Sequence, residues 1–356
     1  MQQQAISQRI HGLDYLRGFA AFGIMVFHYL KWTVGSFGAE DFLGRVGIYG
    51  VSVFYVLSGL TLYSVYQQKM QPTAGDVSDF FKKRVFRIFP LLWLVSLITV
   101  FVYDTPVDLK RIVLNLTGLF GFVAWDNSLA VGAWSIGNEL VFYVFFPVFV
   151  FLSKKSKTGL AVFTIFLGAL AFYFAVIKLN NSDTLSHQWR DYINPLNQVF
   201  LFLAGYLTGL IFNAYQPTRT FNAIIILTAA AIFIFYPASG DEIVLVTGIR
   251  RFIFSFCCIA LTFGFYKFDF PLPGLFSKAF KILGEISYAL YLLHPLFYDL
   301  SGRLMKLSAQ HFYTFPETVR VLLAMLLTLG GSYIVYHRFE RYFMKLSKST
   351  AVRTDG

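Results

Sequence analysis

Apolar residues in this chain fall into blocks close to the roughly 20 residues that carry a helix across a bilayer. They lie at about 12–31, 46–66, 88–104, 134–152, 159–178, 196–214, 221–237, 243–266, 283–300 and 318–336. Short polar stretches rich in Lys and Arg separate them. The pattern predicts an all-α polytopic membrane protein with about ten transmembrane helices. An eleventh apolar stretch, near 112–130, is interrupted by Asn115, Gly118, Gly121, Asp126 and Asn127. Lipid cannot satisfy such groups, so this segment is expected to be re-entrant or interfacial.

Charge gives an independent check, because an eleventh span would reverse the side of everything after it. Cytoplasmic loops carry an excess of Lys and Arg. With Arg17, Arg250 and Arg251 set aside as lying within or at the edge of spans, ten spans put 18 cations on the side of the N-terminus and 9 on the other. Eleven spans give 11 against 16. Ten spans with both termini cytoplasmic satisfy the rule. The first block superficially looks like a signal peptide, but its length, Arg17, His28 and the lack of a convincing cleavage site predict a retained helix. No linker or internal repeat divides the chain. The expected organisation is a cytoplasmic N-terminus (1–11), one membrane domain (12–336) and a basic cytoplasmic tail (337–356).

Composition agrees: 56% of the 356 residues are hydrophobic and 14% charged, against about 25% charged in a soluble domain. The net charge of +11 does not signal nucleic acid, because the cations cluster between apolar blocks rather than along one polar face. Cys257 and Cys258 are adjacent within an apolar block, which supports neither a disulfide framework nor a metal site.

Candidate chemistry sits inside these blocks. Arg17 and His28 are eleven steps apart on the first helix, so they share a face, separated by roughly 16 Å of rise. Ionisable groups within spans usually face a cavity or a partner. Imidazole is the commonest general base near neutral pH. Trp134-Ser135-Ile136-Gly137-Asn138-Glu139 opens the fourth span and puts Glu139 at a depth similar to His28. A carboxylate there fits the role of orienting an imidazole base, or of complementing the helix N-terminus. Ser287-Tyr288-Ala289-Leu290-Tyr291-Leu292-Leu293-His294-Pro295 brings His294 to the same half of the bilayer. Its Tyr288, Tyr291 and Pro295 also fit packing and a kink. At the cytoplasmic end, Arg84 and Arg87 share a helical face and suit bidentate phosphate contacts, while Lys82 and Lys83 equally suit lipid headgroups. Gly50 to Gly59, with Ser58 before Gly59, reads as a close helix contact.

Together these residues resemble the acyltransferase family 3 membrane proteins, which O-acylate surface glycans. The family's Arg-x10-His pair matches Arg17 and His28, and its Gly-rich Phe-Phe-x-x-Ser-Gly stretch matches Gly50 to Gly59, with Tyr55 for the second Phe. Its Arg-x-x-Arg-x-x-Pro element matches Arg84, Arg87 and Pro90. Trp134, Ser135 and Glu139 match its Trp-Ser/Thr motif, and Ser287, Tyr288, Tyr291 and His294 match Ser-Tyr-x-x-Tyr-x-x-His. Ile136, where Leu is usual, and Tyr342, where Pro is common, depart from it.

The resemblance implies a multi-pass enzyme of the bacterial inner (plasma) membrane with no tightly bound cofactor. Acyl-coenzyme A, commonly acetyl-CoA, is the implied donor, and a carbohydrate or glycolipid hydroxyl the acceptor. Arg17, Arg84 and Arg87 would hold the phosphates, and His28, Glu139 and His294 would act at the reacting groups. Some relatives carry a C-terminal SGNH hydrolase-like domain. The expectation here is a stand-alone form that acylates its acceptor directly or hands the acyl group to a separate extracytoplasmic protein. The rival from another class is a transporter of a glycan intermediate using the same intramembrane charges.

Overall fold

The computed structural model describes residues 10–103 and 108–349. Arg9 and Arg353, which entered the charge comparison, lie outside these residues, as do most of the expected N-terminal segment and the end of the expected tail. Regular structure among the described residues is helical throughout. In chain order the helices are α1 (His11–Val34), α2 (Phe42–Tyr66), α3 (Ala74–Tyr103), α4 (Leu109–Thr117), α5 (Phe120–Val123), α6 (Trp134–Lys155), α7 (Lys157–Phe172) and α8 (Trp189–Tyr192). There follow α9 (Pro195–Phe212), α10 (Arg219–Phe235), α11 (Ile243–Val246), α12 (Gly248–Tyr266), α13 (Gly274–Glu285), α14 (Ser287–His311), α15 (Glu317–Val335) and α16 (Arg341–Ser349). A π-helical turn, Tyr173–Lys178, extends α7, and another, Tyr336–Glu340, joins α15 to α16.

Each of the ten apolar windows is helical over most of its length, the eighth and ninth across two helices each. Among the described residues, seven helices are long and apolar enough to cross a membrane: those built on α2, α3, α6, α7, α9, α12 and α15. The other three windows belong to α1, which holds Asp14, Arg17 and Lys31, to α10, with 17 residues, and to α14, whose second half is polar. The interrupted 112–130 segment forms α4, α5 and turns, with a left-handed Gly118 ending α4. Neither helix is long enough to span. The eighth window is shorter than its apolar run suggests, because Gly248 at φ +55° separates α11 from α12 and leaves Arg250 and Arg251 in the first turn of α12.

Burial sorts the helices into a centre and a periphery. The most apolar window of α2 is 78% buried and that of the helix containing α9 is 61% buried, whereas the α7 and α15 helices have 28% and 17%. In a bilayer those exposed apolar faces meet lipid. The α2–α9 contact depends on two glycines. A Cβ on Gly59 would stand 1.9 Å from the Phe202 carbonyl oxygen, and one on Gly205 would stand 1.9 Å from that of Val56. Backbone meets backbone here, which is the advantage of small residues where hydrocarbon gives no hydrophobic drive for helix association. Rings of Phe142, Phe146, Phe149, Phe202 and Tyr206 fill the adjoining space between α6 and α9.

Arg45 has a structural task. Only 3% exposed, it donates from Nε to the Ala39 carbonyl (2.9 Å) and from its terminal nitrogens to those of Phe233 (2.9 Å), Ile234 (2.7 Å) and Tyr236 (2.8 Å). These last carbonyls close α10, where the helix leaves acceptors without backbone donors and the dipole favours a cation. Arg45→Met strips the donors and is expected to cost about 3 kcal/mol. The measurement is the thermal midpoint in detergent, and an unchanged midpoint would rule the cap out. Arg251, 3% exposed, similarly donates to the Asn197 carbonyl at 2.8 Å and ties α12 to α9.

The described residues beyond 336 stay helical through the π turn to Ser349, and α16 packs on α3, which carries Lys82, Lys83, Arg84 and Arg87.

Candidate active site

Two cavities meet at Arg84 and Arg87, which line both. The larger one, ≈ 430 Å³, is lined also by Tyr66, Lys69, Lys83, Met344 and Ser347 and by the carboxylates of Asp76 and Asp79. The narrower one, ≈ 100 Å³, runs inward past Arg17, Ser58, Thr61 and Glu139 to Ser135 and Tyr291. Arg84 is framed by the rings of Tyr66, Phe80 and Tyr143, each 5.8 Å from its guanidinium carbon. It hydrogen-bonds the Tyr66 hydroxyl, at a long 3.4 Å, and Tyr143, and its buried Nε has no partner. A cation held by ring faces without a carboxylate keeps its donors available for an anion. Arg17 donates to Thr61 Oγ1 at 3.1 Å and lies 3.6 Å from Asp14, so part of its charge is met within α1. Lys83 is paired with Asp79.

The face of α14 carrying the Ser-Tyr-x-x-Tyr-x-x-His pattern bonds to a different neighbour at each turn. Ser287 caps back onto the Gly284 carbonyl at 2.9 Å. Tyr288 donates to the Ile88 carbonyl of α3 at 2.7 Å. The Tyr291 hydroxyl meets Ser135 Oγ at 2.8 Å and the Gly132 carbonyl at 3.0 Å, at the start of α6. His294 meets His28 of α1, Nε2 to Nδ1, at 3.1 Å.

Pro295 explains how that histidine pair is oriented. In a regular helix the N–H of residue 295 would bond the carbonyl of Tyr291, but proline has none. The freed carbonyl accepts from Nδ1 of His294 at 2.8 Å. A carbonyl only accepts, so Nδ1 of His294 carries the proton, and in the neutral ring Nε2 is a lone pair. His28 Nδ1 must then donate to it, which leaves His28 Nε2 as the free basic nitrogen of the pair. If His28 takes a proton there, its Nδ1–H remains held by His294.

The structure therefore brings together Arg17, Arg84, Arg87, Ser58, Glu139, Ser135, Ser287, Tyr288 and Tyr291 around one cavity, with His28 and His294 paired just beyond Tyr291. It differs from the sequence expectation in one pairing. The hydrogen-bond partner of His28 is His294, whereas Glu139 accepts from Ser58 Oγ at 2.5 Å in the cavity that the three arginines line. Trp134 points elsewhere, with its ring 5.4 Å from that of Trp189. Gly59 serves the helix contact already described. Sequence reasoning missed Thr61, Tyr143 and Trp32. Tyr143 follows Glu139 by four residues and Trp32 follows His28 by four, so helical spacing from the candidate residues carried a signal for both.

A family model described as an acyltransferase domain matches residues 10–337. The chain is 24% identical over 311 residues to the O-acetyltransferase OatA of Staphylococcus aureus (strain NCTC 8325 / PS 47), covering 80% of this chain and 49% of that protein. It is 25% identical over 323 residues to a protein named "Putative acetyltransferase ORF330" of Acidianus two-tailed virus, covering 88% and 92%. The chain thus spans about half the length of the OatA relatives it matches. No solved structure matches it.

Proposed function

The chain belongs to the acyltransferase family whose domain model its residues 10–337 match, and we propose that it is an O-acetyltransferase carrying an acetyl group from cytoplasmic acetyl-CoA to a hydroxyl of a cell-surface or exported carbohydrate. The observation that carries this reading is a pair of joined cavities lined by Arg17, Arg84 and Arg87, whose inner end at Tyr291 lies beside the His28–His294 pair. Coenzyme A has bulky phosphates at one end of a thin arm and a thioester at the other. A wide cationic mouth followed by a narrow passage suits that shape. Lys69, Arg84 and Arg87 receive the phosphates, and the arm passes Arg17 and Glu139 toward Tyr291.

In the proposed step, His28 Nε2 takes the proton of the acceptor hydroxyl as its oxygen attacks the thioester carbon. The C–O bond forms, the C–S bond breaks, and the proton passes from His28 to the departing thiolate, giving ester and free thiol. Such general-base assistance contributes typically about 10²–10⁴-fold. Ten spans with both termini cytoplasmic, in a bacterial inner membrane, complete the reading, and the Lys/Arg distribution supports that orientation.

Purified protein in nanodiscs is expected to release thiol from acetyl-CoA only when an acceptor is present. Cells lacking the protein are expected to lose an acetyl mass increment from a surface glycan. A carrier would release no thiol and would instead leave glycan intermediates accumulating inside. Arg84→Gln and Arg87→Gln are each expected to raise the KM for acetyl-CoA about tenfold, the loss of roughly one charge-assisted contact. An unchanged KM in both would remove the phosphate assignment.

A further inference from the structure

The narrow cavity ends at Ser135 and Tyr291 and does not include His28, His294 or Trp32 in its walls. A donor arriving by that route approaches the histidine pair from the Tyr291 side. The acceptor hydroxyl must therefore reach His28 from another direction. At the end of α1 away from the arginines, Trp32 covers the pair. Its ring is stacked on His28 at 5.1 Å and 21° and on His294 at 5.9 Å and 12°, and the two imidazoles are stacked on each other at 5.0 Å and 20°. His294 is 1% exposed and His28 is half-buried, whereas Trp32 is 39% exposed, so the indole and the edge of His28 form the open side of the aromatic stack.

Hydrogen-bonding groups flank the indole. Thr33 Oγ1 and the Tyr298 hydroxyl meet at 2.8 Å on one side, and the Tyr298 ring stands 5.0 Å from that of Trp32. An exposed indole bordered by the Tyr298 ring and by the hydroxyls of Thr33 and Tyr298 matches the chemistry of a sugar ring, which presents an apolar C–H face and a rim of hydroxyls. Orienting groups of this kind, a few polar contacts around an aromatic platform, are how small-molecule sites fix a pose.

We infer that Trp32 is the platform on which the ring of the acceptor sugar stacks, placing one of its hydroxyls at His28. The inference rests on the acyl-transfer reading above and adds an acceptor side opposite the donor cavity. It makes Trp32 a specificity-determining residue that selects ring glycosides over flexible alcohols.

The test uses the full chain in nanodiscs with acetyl-CoA, following thiol release against rising concentrations of p-nitrophenyl N-acetyl-β-glucosaminide and, separately, glycerol. Wild type is expected to prefer the glycoside. Trp32→Ala should raise the glycoside KM at least tenfold and abolish the preference over glycerol, while the KM for acetyl-CoA shifts less than twofold. Trp32→Phe, which keeps a ring over the histidines, should recover most of the preference. If Trp32→Ala slows both acceptors equally, or if wild type shows no preference for the glycoside, the platform is overturned. If wild type releases no thiol with either acceptor, the donor reading itself falls and takes this inference with it.

Discussion

His28→Ala is expected to lower acetyl transfer by about 10³-fold, within the range by which a positioned general base accelerates proton transfer. The KM for acetyl-CoA should barely change, because the residues proposed to hold its phosphates, Arg84 and Arg87, line the cavity on the side away from His28. His294→Ala removes the acceptor that holds Nδ1 of His28 and is expected to lower kcat by about tenfold to a hundredfold, since His28 remains but is free to rotate or change tautomer. Pro295→Ala gives the sharpest form of the test. It returns an N–H to the helix, and that N–H competes with Nδ1 of His294 for the Tyr291 carbonyl. The variant should fold at least as stably as wild type, because an interior proline costs a helix rather than supporting it. It should nevertheless turn over more slowly. The checks are kcat and KM on purified protein, with a thermal midpoint beside each. Full activity in His28→Ala would overturn the base assignment, and an unchanged kcat in Pro295→Ala would overturn the account of how the pair is oriented.

Gly59→Ala and Gly205→Ala should each destabilise the protein far more than their size suggests. In each case the added Cβ would fall 1.9 Å from a carbonyl oxygen of the facing helix. A flexible side chain could move aside, but backbone cannot unless α2 and α9 separate. Forcing extra atoms into a packed contact typically costs about 1–3 kcal/mol, and the backbone partner puts these changes at the upper end. For a chain of this size that corresponds to a fall of roughly 4 °C in thermal midpoint. Activity should fall too, because Ser58, adjacent to Gly59, donates to Glu139 in the cavity. A control is Gly330→Ala, at a position where a Cβ meets nothing within 4 Å. If the two interface variants melt like this control, the helices are not held by that close approach.

Much of the arrangement was legible in the order of residues. Block length and polar interruption predict which segments are long helices and which is not, because a bilayer admits only segments that satisfy their own backbone. All ten apolar windows are helical, and the interrupted 112–130 stretch yields only short helices. Arg17 and His28 on one face, and Tyr288, Tyr291 and His294 along another, follow from helical periodicity. The resemblance to the acyltransferase family rested on these same residues, and the family match covers them.

Pairing across helices was not legible, since sequence sets depth along an axis but not the order of axes around the bundle. Glu139 and His294 were both at the right depth to orient His28, and only packing decided between them. The α1–α14 contact delivers His294 to His28, while α2 brings Ser58 to Glu139. Arg45 is a similar case: a basic residue near the start of a span reads as a topology signal, yet it is buried against the end of α10, 188 or more residues away in sequence. What the sequence by itself determined is local: which segments are helical, where each apolar face lies, and that Pro295 frees the Tyr291 carbonyl. What the tertiary structure decided is which distant group meets each exposed donor or acceptor. Those bonds depend on how neighbouring helices are rotated and spaced, and that is settled by contacts such as Gly59 on Phe202 that no single segment contains.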